Sequence, residues 1–309
     1  LTGVTCEIMK NLVLAGVAAV VCDDRPYPEA VREMPCSFFH AEDMEEATPS
    51  ESNDGVEPDA KKAKRIPATV ASAIQPKVVA YTPNGKVDVP VPHALTTAEV
   101  TAVVQQFRQA AANAKRAGFD GVEIHGANGY LIDQFLRDGA NKRTDQYGGS
   151  FENRARFALE VVDAVIAEIG AGKVGIRLSP VTPFNDLSDS NPQEVFGYLI
   201  EQLNQRGIGF IHMIEGSTGG DRNVPGFDYG WARKTFKGTY IVNNGYTREM
   251  AINALETGWA DAVSFGRAYI ANPDLVQRLK LNAPLAEGNP QTYYAPGPEG
   301  YIDYPSLTA

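Results

Sequence analysis

The chain has 309 residues, of which 43% are hydrophobic, and its formal net charge at pH 7 is -10. This length and apolar content fit one large α/β barrel or two medium domains, each with a sizeable core. The acidic balance argues against nucleic acid or an anionic membrane as the main partner. No apolar run free of charges is long enough to span a membrane.

The cysteines limit the metal chemistry that we expect. Cys6, Cys22 and Cys36 are the three cysteines of the chain, and none stands in a C-x-x-C pair. This spacing predicts neither a zinc site nor an iron–sulfur site, and we expect no bound metal. Reduced structural thiols in the cytoplasm are the simplest interpretation.

The first part of the chain divides into two segments of different composition. Residues 1–39 are apolar and predict a helix and a strand, whereas residues 40–65 carry a run of acids followed by KKAKR. Low hydrophobicity and clustered charge are typical of a polar linker. We therefore expect the main folded unit to occupy residues 66–309.

Strands and helices alternate after the linker. Five short apolar segments predict strands, and they contain Glu123, Ile176, Ile211, Ile241 and Val263. Between the strands, residues 151–170 have apolar positions at helical spacing. Residues 191–207 begin with Asn-Pro and end on glycine, as helices do, and Thr247 predicts the N-cap of a further helix. Repeated βα units indicate a parallel sheet.

The segment SFGRAYIANPDL indicates a candidate phosphate site. Its predicted strand ends at Gly266 and Arg267, directly before a helix. Barrels of the (β/α)8 type often bind phosphate in the loops after their last two strands. The alternative is a helix cap followed by a surface arginine.

Candidate catalytic residues follow the first of the five strands, in GVEIHGANGYL. His125 comes at the carboxyl end of the predicted strand, where barrel enzymes place catalytic groups. Gly126 and Gly129 allow a tight loop, so Asn128 and Tyr130 are expected on the same rim. An imidazole and an amide donate hydrogen bonds to a carbonyl oxygen, and a tyrosine hydroxyl delivers a proton. Reduction of an activated C=C bond needs both, together with a hydride from a cofactor.

Five segments in fixed order carry a resemblance to a known family. They are HGANGYL, NKRTDQYGGSFENRARF, VGIRLSP, SFGRAYIANPDL and GYIDYP. From about residue 66 to its end, the chain resembles the Old Yellow Enzyme family, which includes bacterial N-ethylmaleimide reductases and plant oxophytodienoate reductases. The resemblance implies a (β/α)8 barrel that binds FMN, takes electrons from NADPH or NADH, and reduces an electrophilic alkene.

The resemblance also implies roles for individual residues. His125 and Asn128 would hold the electron-withdrawing oxygen of the substrate, and Tyr130 would protonate the carbon alpha to it. Arg177 would lie against the N1/O2 edge of the flavin, and Tyr294 would line the substrate pocket. The FMN phosphate would be bound by a group of four residues: Asn244, Gly245, Gly266 and Arg267.

Structural explanations compete with these roles. A histidine at a strand end is often a hydrogen-bonded core residue, and Arg177 could be an ion-pair partner inside the barrel. We interpret His212, in FIHMIEG, either as structural or as a residue that supports the site residues from behind. In the segment 141–157, Asn153 and Arg154 are expected to fix a loop before the next helix.

The chain departs from the family pattern before residue 66. Only five of eight βα units can be counted, so the sequence predicts an incomplete (β/α)8 barrel beside an unrelated helix–strand segment. The missing strands would normally bind the flavin ring, and their loss would weaken FMN binding. LTGVTCEIMKNLVLAGVAAVVCDD resembles instead the adenylation domain of ubiquitin- and SUMO-activating enzymes.

Three functions therefore compete. The favoured one is an FMN-dependent NAD(P)H oxidoreductase that reduces the activated C=C bond of an α,β-unsaturated carbonyl or nitro compound. The second is a non-catalytic remnant with impaired FMN binding. The third is an adenylating protein of a ubiquitin-like pathway, which rests on residues 1–65 alone.

Overall fold

The structure, a computed structural model, describes most of the chain after residue 90. The described residues are 17–20 as a backbone strand, 69–72, 79–82, 85–88, 91–218, 220–293, 298–300 and 302–307.

Ten strands and eight α-helices lie in these ranges. The strands are β1 Val17–Val20, β2 Thr69–Val70, β3 Val79–Thr82, β4 Gly85–Asp88, β5 His93–Ala94, β6 Gly121–Gly126, β7 Val174–Leu178, β8 Phe210–Ile214, β9 Thr239–Asn243 and β10 Ala262–Val263. The helices are α1 Thr97–Arg116, α2 Leu131–Leu136, α3 Phe151–Ile169, α4 Pro192–Arg206, α5 Tyr229–Thr235, α6 Arg248–Glu256, α7 Arg267–Ala271 and α8 Leu275–Leu281. Short 3-10 turns lie at Ala171–Lys173 and Phe184–Asp186.

One sheet organises the fold. Its strand order is β1-β6-β7-β8-β9-β10, and the pairs from β6 to β10 are all parallel. At least one helix lies between each strand and the next, as parallel neighbours require. The five predicted strands and the parallel sheet are therefore confirmed. Five parallel βα units in consecutive order form part of a (β/α)8 barrel.

The predicted strand in the first segment lies beside this sheet. Strand β1 pairs with β6 in antiparallel orientation, with Val17 opposite Ile124 and Val20 opposite Gly121. It is not a further parallel barrel strand. The helix predicted in residues 1–39 falls outside the described residues.

The core lies between the sheet and its helices. Val122 and Ile124 of β6 are buried, and so are Phe157, Val161 and Val165 of α3. Burying such a side chain contributes about 1.5–3 kcal/mol relative to leaving it exposed. The helical spacing predicted for residues 151–170 thus corresponds to the face that packs on the sheet.

The helix ends follow the sequence signals closely. Pro192 is the first residue of α4, and Gly207 ends that helix in the left-handed region with φ 63°. Thr247 is the N-cap of α6, and its side chain accepts a hydrogen bond from the Met250 N–H. Both predicted boundaries are confirmed.

The inner face of the sheet is polar. It carries Glu123, His125, Arg177, His212 and Asn243, which are connected by hydrogen bonds or lie opposite one another in register. Because side chains alternate along a strand, polar residues at every second position line one face. These residues therefore face the interior of the partial barrel.

Candidate active site

His125 lies at the carboxyl end of β6, and we call the segment from His125 to Tyr130 the β6–α2 loop. Asn128 and Gly129 both have left-handed backbone, with φ 57° and 75°. This turn brings the Tyr130 ring back to the His125 ring, with 5.2 Å between their centroids and 46° between their planes. His125 is buried, whereas 45% of Tyr130 is exposed. The loop thus carries one buried and one accessible polar ring side by side.

Buried side chains fix the backbone of this loop. The Asn128 N–H donates to Ser179 Oγ at 2.8 Å, and the Gly129 N–H donates to Asp133 Oδ2 at 2.9 Å. The Ser179 hydroxyl donates in turn to Asp133 Oδ2 at 3.2 Å. Arg137 pairs with Asp133 at 3.0 Å and also donates to the Ser179 carbonyl. Both members of the ion pair are buried.

His125 is held neutral at physiological pH. Burial, reinforced by the positive charge of Arg177, lowers the pKa of His125 from 6.5 to about 4. Its Nε2 atom is buried and has no hydrogen-bond partner among the described residues. Buried polar atoms without partners are rare. This one is available to a ligand.

Arg177 lies next to His125, on the neighbouring strand β7 and in register with it. Its Nη2 donates to Asn243 Oδ1 at 3.0 Å, and its Nε is buried without a partner among the described residues. Burial lowers the pKa of Arg177, against the effect of the Glu123 charge. The contact with Asn243 is a hydrogen bond to a neutral amide.

A chain of hydrogen bonds runs across the inner face of the sheet from Glu123 through His212 to Ser264. His212 Nδ1 lies 2.8 Å from Glu123 Oε2, and His212 Nε2 lies 2.6 Å from Ser264 Oγ. Burial raises the pKa of Glu123, but the charge and hydrogen bond of His212, together with the charges of Arg177 and His125, outweigh burial, so the pKa is lowered overall. These contacts agree with a structural role for His212.

The candidate phosphate residues lie at the carboxyl ends of β9 and β10. Asn244 is buried, and its Nδ2 donates to the carbonyls of Glu215 and Ser217, each at 2.5 Å. A Cβ on Gly245 would lie 3.5 Å from Gly220 Cα, and a Cβ on Gly220 would lie 4.0 Å from Arg267 Nη2. Gly245, Gly220 and Arg267 therefore lie close together.

Gly266 is the N-cap of the short helix α7, and a Cβ there would meet nothing within 4 Å. Space beside Gly266 is therefore open to a ligand, whereas a Cβ at Gly245 would be in van der Waals contact with Gly220. The sequence did not predict Gly220 as part of this site. Its segment GSTGG follows strand β8, however, and therefore lies at the carboxyl end of the strands, as Gly245 and Gly266 do. Tyr294, predicted to line the pocket, falls outside the described residues.

This arrangement fits FMN at both ends of the cofactor. Buried Arg177 Nε and His125 Nε2 lack partners in the described part of the chain, where a flavin ring and its substrate would bind. Two glycines and a guanidinium lie close together where a phosphate would bind, and backbone N–H groups and arginine both suit phosphate. The described residues hold no cluster of three or more His, Cys, Asp or Glu side chains arranged for a metal ion. Nor do they include a helix long and apolar enough to cross a membrane.

Comparison with known proteins agrees with the partial barrel and with a candidate flavin site. Residues 48–286 match the model of the NADH:flavin oxidoreductase / NADH oxidase family. The chain belongs to this family, and the predicted resemblance to the Old Yellow Enzymes is confirmed. The domain boundaries and the resemblance of residues 1–65 to activating enzymes stay predictions.

Two curated relatives illustrate the similarity. Putative 12-oxophytodienoate reductase 3 of Oryza sativa subsp. japonica is 52% identical over 223 residues, which are 70% of this chain and 58% of the relative. The probable flavin mononucleotide-dependent alkene reductase of Leishmania infantum is 46% identical over 247 residues, 78% of this chain and 66% of the relative. The chain thus spans about 58% of the rice relative's length.

Solved structures give the same result. The Old Yellow Enzyme homologue from Zymomonas mobilis superposes with a TM-score of 0.74 at 42% identity, over 77% of this chain and 68% of that one. Morphinone reductase in complex with tetrahydroNAD gives a TM-score of 0.72 at 43% identity, over 78% of this chain and 66% of that one. The barrel fold is therefore shared.

Proposed function

We propose that this chain is an FMN-dependent NAD(P)H oxidoreductase of the ene-reductase type. Its substrates are small α,β-unsaturated carbonyl or nitro compounds, and it acts in the cytoplasm, as its cysteines predict. The observation that carries the proposal concerns a buried, neutral His125, whose Nε2 has no hydrogen-bond partner in the ranges that the structure describes. Its ring centroid lies 5.2 Å from that of the accessible Tyr130. The flavin family supplies the redox chemistry that these side chains lack.

His125 and Asn128 bind the electron-withdrawing oxygen of the substrate. A neutral imidazole and an amide donate hydrogen bonds without bringing a net charge. Their effect is largest where negative charge develops on the oxygen during reduction. A pKa of about 4 keeps His125 neutral at pH 7, so it acts as a hydrogen-bond donor and does not protonate the substrate.

Tyr130 donates the proton to the carbon alpha to the withdrawing group. It forms the N-cap of α2 without using its hydroxyl there. The hydroxyl group is therefore available for a substrate held by His125, and the exposed side of the ring admits solvent, which restores the proton. Positioned acids of this kind typically accelerate a reaction about 10²–10⁴-fold.

Arg177 and the loops after β9 and β10 hold the cofactor. Bound there, FMN would supply the hydride chemistry that these side chains lack, with NAD(P)H as the source of the hydride and the alkene as its acceptor. Arg177 would stabilise negative charge on the flavin ring. A separate group binds the phosphate: Asn244, Gly245, Gly266 and Arg267. Tyr294 lines the substrate pocket.

The test begins with cofactor binding. FMN is titrated into the purified chain, and quenching of FMN fluorescence gives the dissociation constant. The loaded chain is then reduced anaerobically with NADPH or NADH and mixed with 2-cyclohexenone. We expect the flavin absorbance to return with the enone and to stay bleached with saturated cyclohexanone, which offers no C=C bond.

A loaded chain whose reduced flavin is reoxidised by neither an enone nor a nitroalkene contradicts the proposal. Failure to bind FMN would support the remnant alternative, which the family match does not favour. ATP–pyrophosphate exchange by the chain would support the adenylating alternative.

A further inference from the structure

Three of the four hydrogen-bonding groups of Asn128 are occupied by the protein itself. Its N–H donates to Ser179 Oγ at 2.8 Å, and its carbonyl accepts from Asn185 Nδ2 at 2.9 Å. Its side-chain Oδ1 accepts from Thr218 Oγ1 at 2.9 Å. Among the described residues only Nδ2 has no hydrogen-bond partner, so the amide presents its NH₂ group.

Two threonine hydroxyls fix that orientation. Thr182 Oγ1 accepts from the Thr218 N–H at 3.0 Å, with the Phe184 N–H a further 3.5 Å contact, and it lies 2.7 Å from Thr218 Oγ1. A hydroxyl has one proton and two lone pairs. Because backbone N–H groups use its lone pairs, Thr182 donates its proton to Thr218, and Thr218 donates to Asn128 Oδ1.

The opposite amide orientation would disrupt this chain. With Nδ2 towards Thr218, the Thr218 oxygen could accept from both Nδ2 and Thr182, but its own proton would then lose Asn128 Oδ1 as its acceptor. If Thr218 donated to Thr182 instead, Thr182 would face three donors with two lone pairs, and its own proton would lose its acceptor. Thr182 is 0% exposed, so water does not relieve this second arrangement, and a lost hydrogen bond is costly in either case.

We propose that Thr182 and Thr218 are positioning residues that hold the Asn128 amide with its Nδ2 towards the substrate, so that the site selects ligands by an acceptor oxygen. This inference rests on the proposed function, which places the substrate oxygen at His125 and Asn128. Carbonyl and nitro oxygens accept such a hydrogen bond. An amine or ammonium group at the same position does not.

The main variant is Thr218→Val, tested in the FMN-loaded chain, because it removes the hydroxyl and keeps the side-chain shape. We expect the dissociation constant of cyclohexanone for the loaded chain to rise about two- to tenfold, the effect of one neutral hydrogen bond. FMN affinity and the rate of flavin reduction by NADPH should stay unchanged. Thr218→Ser, which restores a hydroxyl, should return cyclohexanone binding to the wild-type value.

A second measurement is independent of turnover and of substrate. The side-chain ¹H–¹⁵N signals of Asn128, assigned by their loss in Asn128→Asp, should shift in both Thr218→Val and Thr182→Val and return in Thr218→Ser. Unchanged signals in both valine variants overturn the proposal, and so does cyclohexanone binding at wild-type strength in Thr218→Val. Failure of serine to restore binding in a folded, FMN-loaded chain also overturns it, since the hydroxyl would then be irrelevant.

The two proposals fail in different ways. A wild-type chain that binds FMN but never reduces an enone contradicts the proposed function, whereas the Asn128 signals still decide whether the threonines orient the amide.

Discussion

The β6–α2 loop and the loops after β9 and β10 present hydrogen-bond donors in different ways. In the first, buried Asp133 and Ser179 hold successive backbone N–H groups, and the side chains of His125 and Asn128 are left to face a ligand. In the second, Gly266 leaves open space beside the backbone, and Gly245 packs against the backbone of Gly220. Donors carried on side chains require a fixed backbone, whereas donors carried on the backbone require the absence of side chains.

The largest expected effect concerns Tyr130, the accessible aromatic residue of the β6–α2 loop. Tyr130→Phe removes the proposed proton donor, and we expect the rate of enone reduction to fall about 10²–10⁴-fold. Flavin reduction by NADPH should be nearly unchanged, because that half-reaction takes no proton from Tyr130. Stopped-flow measurement of the two half-reactions separates these effects. Equal slowing of both would show that the variant disturbs the cofactor rather than proton transfer.

The next largest effect concerns Asp133, whose carboxylate helps to fix the backbone of the same loop. Asp133→Ala leaves Arg137 buried and unpaired, and removing one partner of a buried pair typically costs about 3–5 kcal/mol in the free energy of unfolding. Asp163→Ala is the matched control, because its pair with Arg206 is partly exposed and such pairs contribute about 0–1 kcal/mol. Urea denaturation measures both. Similar losses for the two variants would mean that burial does not set the strength of this anchor.

The third prediction concerns buried His125 and the dependence of the free energy of unfolding on pH. The pKa of His125 in the folded chain, about 4, lies below the ordinary 6.5. Between these values the unfolded chain binds a proton that the folded chain does not, so stability rises with pH across this window and falls as pH is lowered. The loss from pH 6.5 to 4 should be about 3 kcal/mol larger in the wild type than in His125→Asn. Parallel urea-denaturation profiles for the two proteins would exclude this linkage.

Local signals in the sequence predicted much of the fold. Pro192, Gly207 and Thr247 act within one helical turn, so their effects could be predicted without tertiary information. Helix α1 was not predicted, although Thr96 and Glu99 form the capping box that marks its start. The short helices α2 and α5 were not predicted either; helices of this length depend mainly on packing.

The candidate site was predicted only where its residues are close in sequence. His125, Asn128 and Tyr130 lie within one loop, so a motif could associate them. Their partners come from far along the chain: Ser179 is 51 residues from Asn128, and Thr218 is 90 residues away. Such contacts depend on the order of strands in the sheet, which local patterns do not determine.

The smallest expected effect tests the loops after β9 and β10. Gly245 has φ 68°, in the left-handed region, where a residue with a Cβ costs about 1–2 kcal/mol. Gly266 has φ -99° and open space around its Cα. We therefore expect Gly245→Ala to lower the free energy of unfolding by about 1–2 kcal/mol and Gly266→Ala to change it by less than about 0.5 kcal/mol. Urea denaturation of the two variants makes the comparison. If the two variants lower the free energy of unfolding equally, the left-handed backbone is not the reason for glycine at Gly245. The loops after β9 and β10 would then need glycine only to give a ligand access to the backbone.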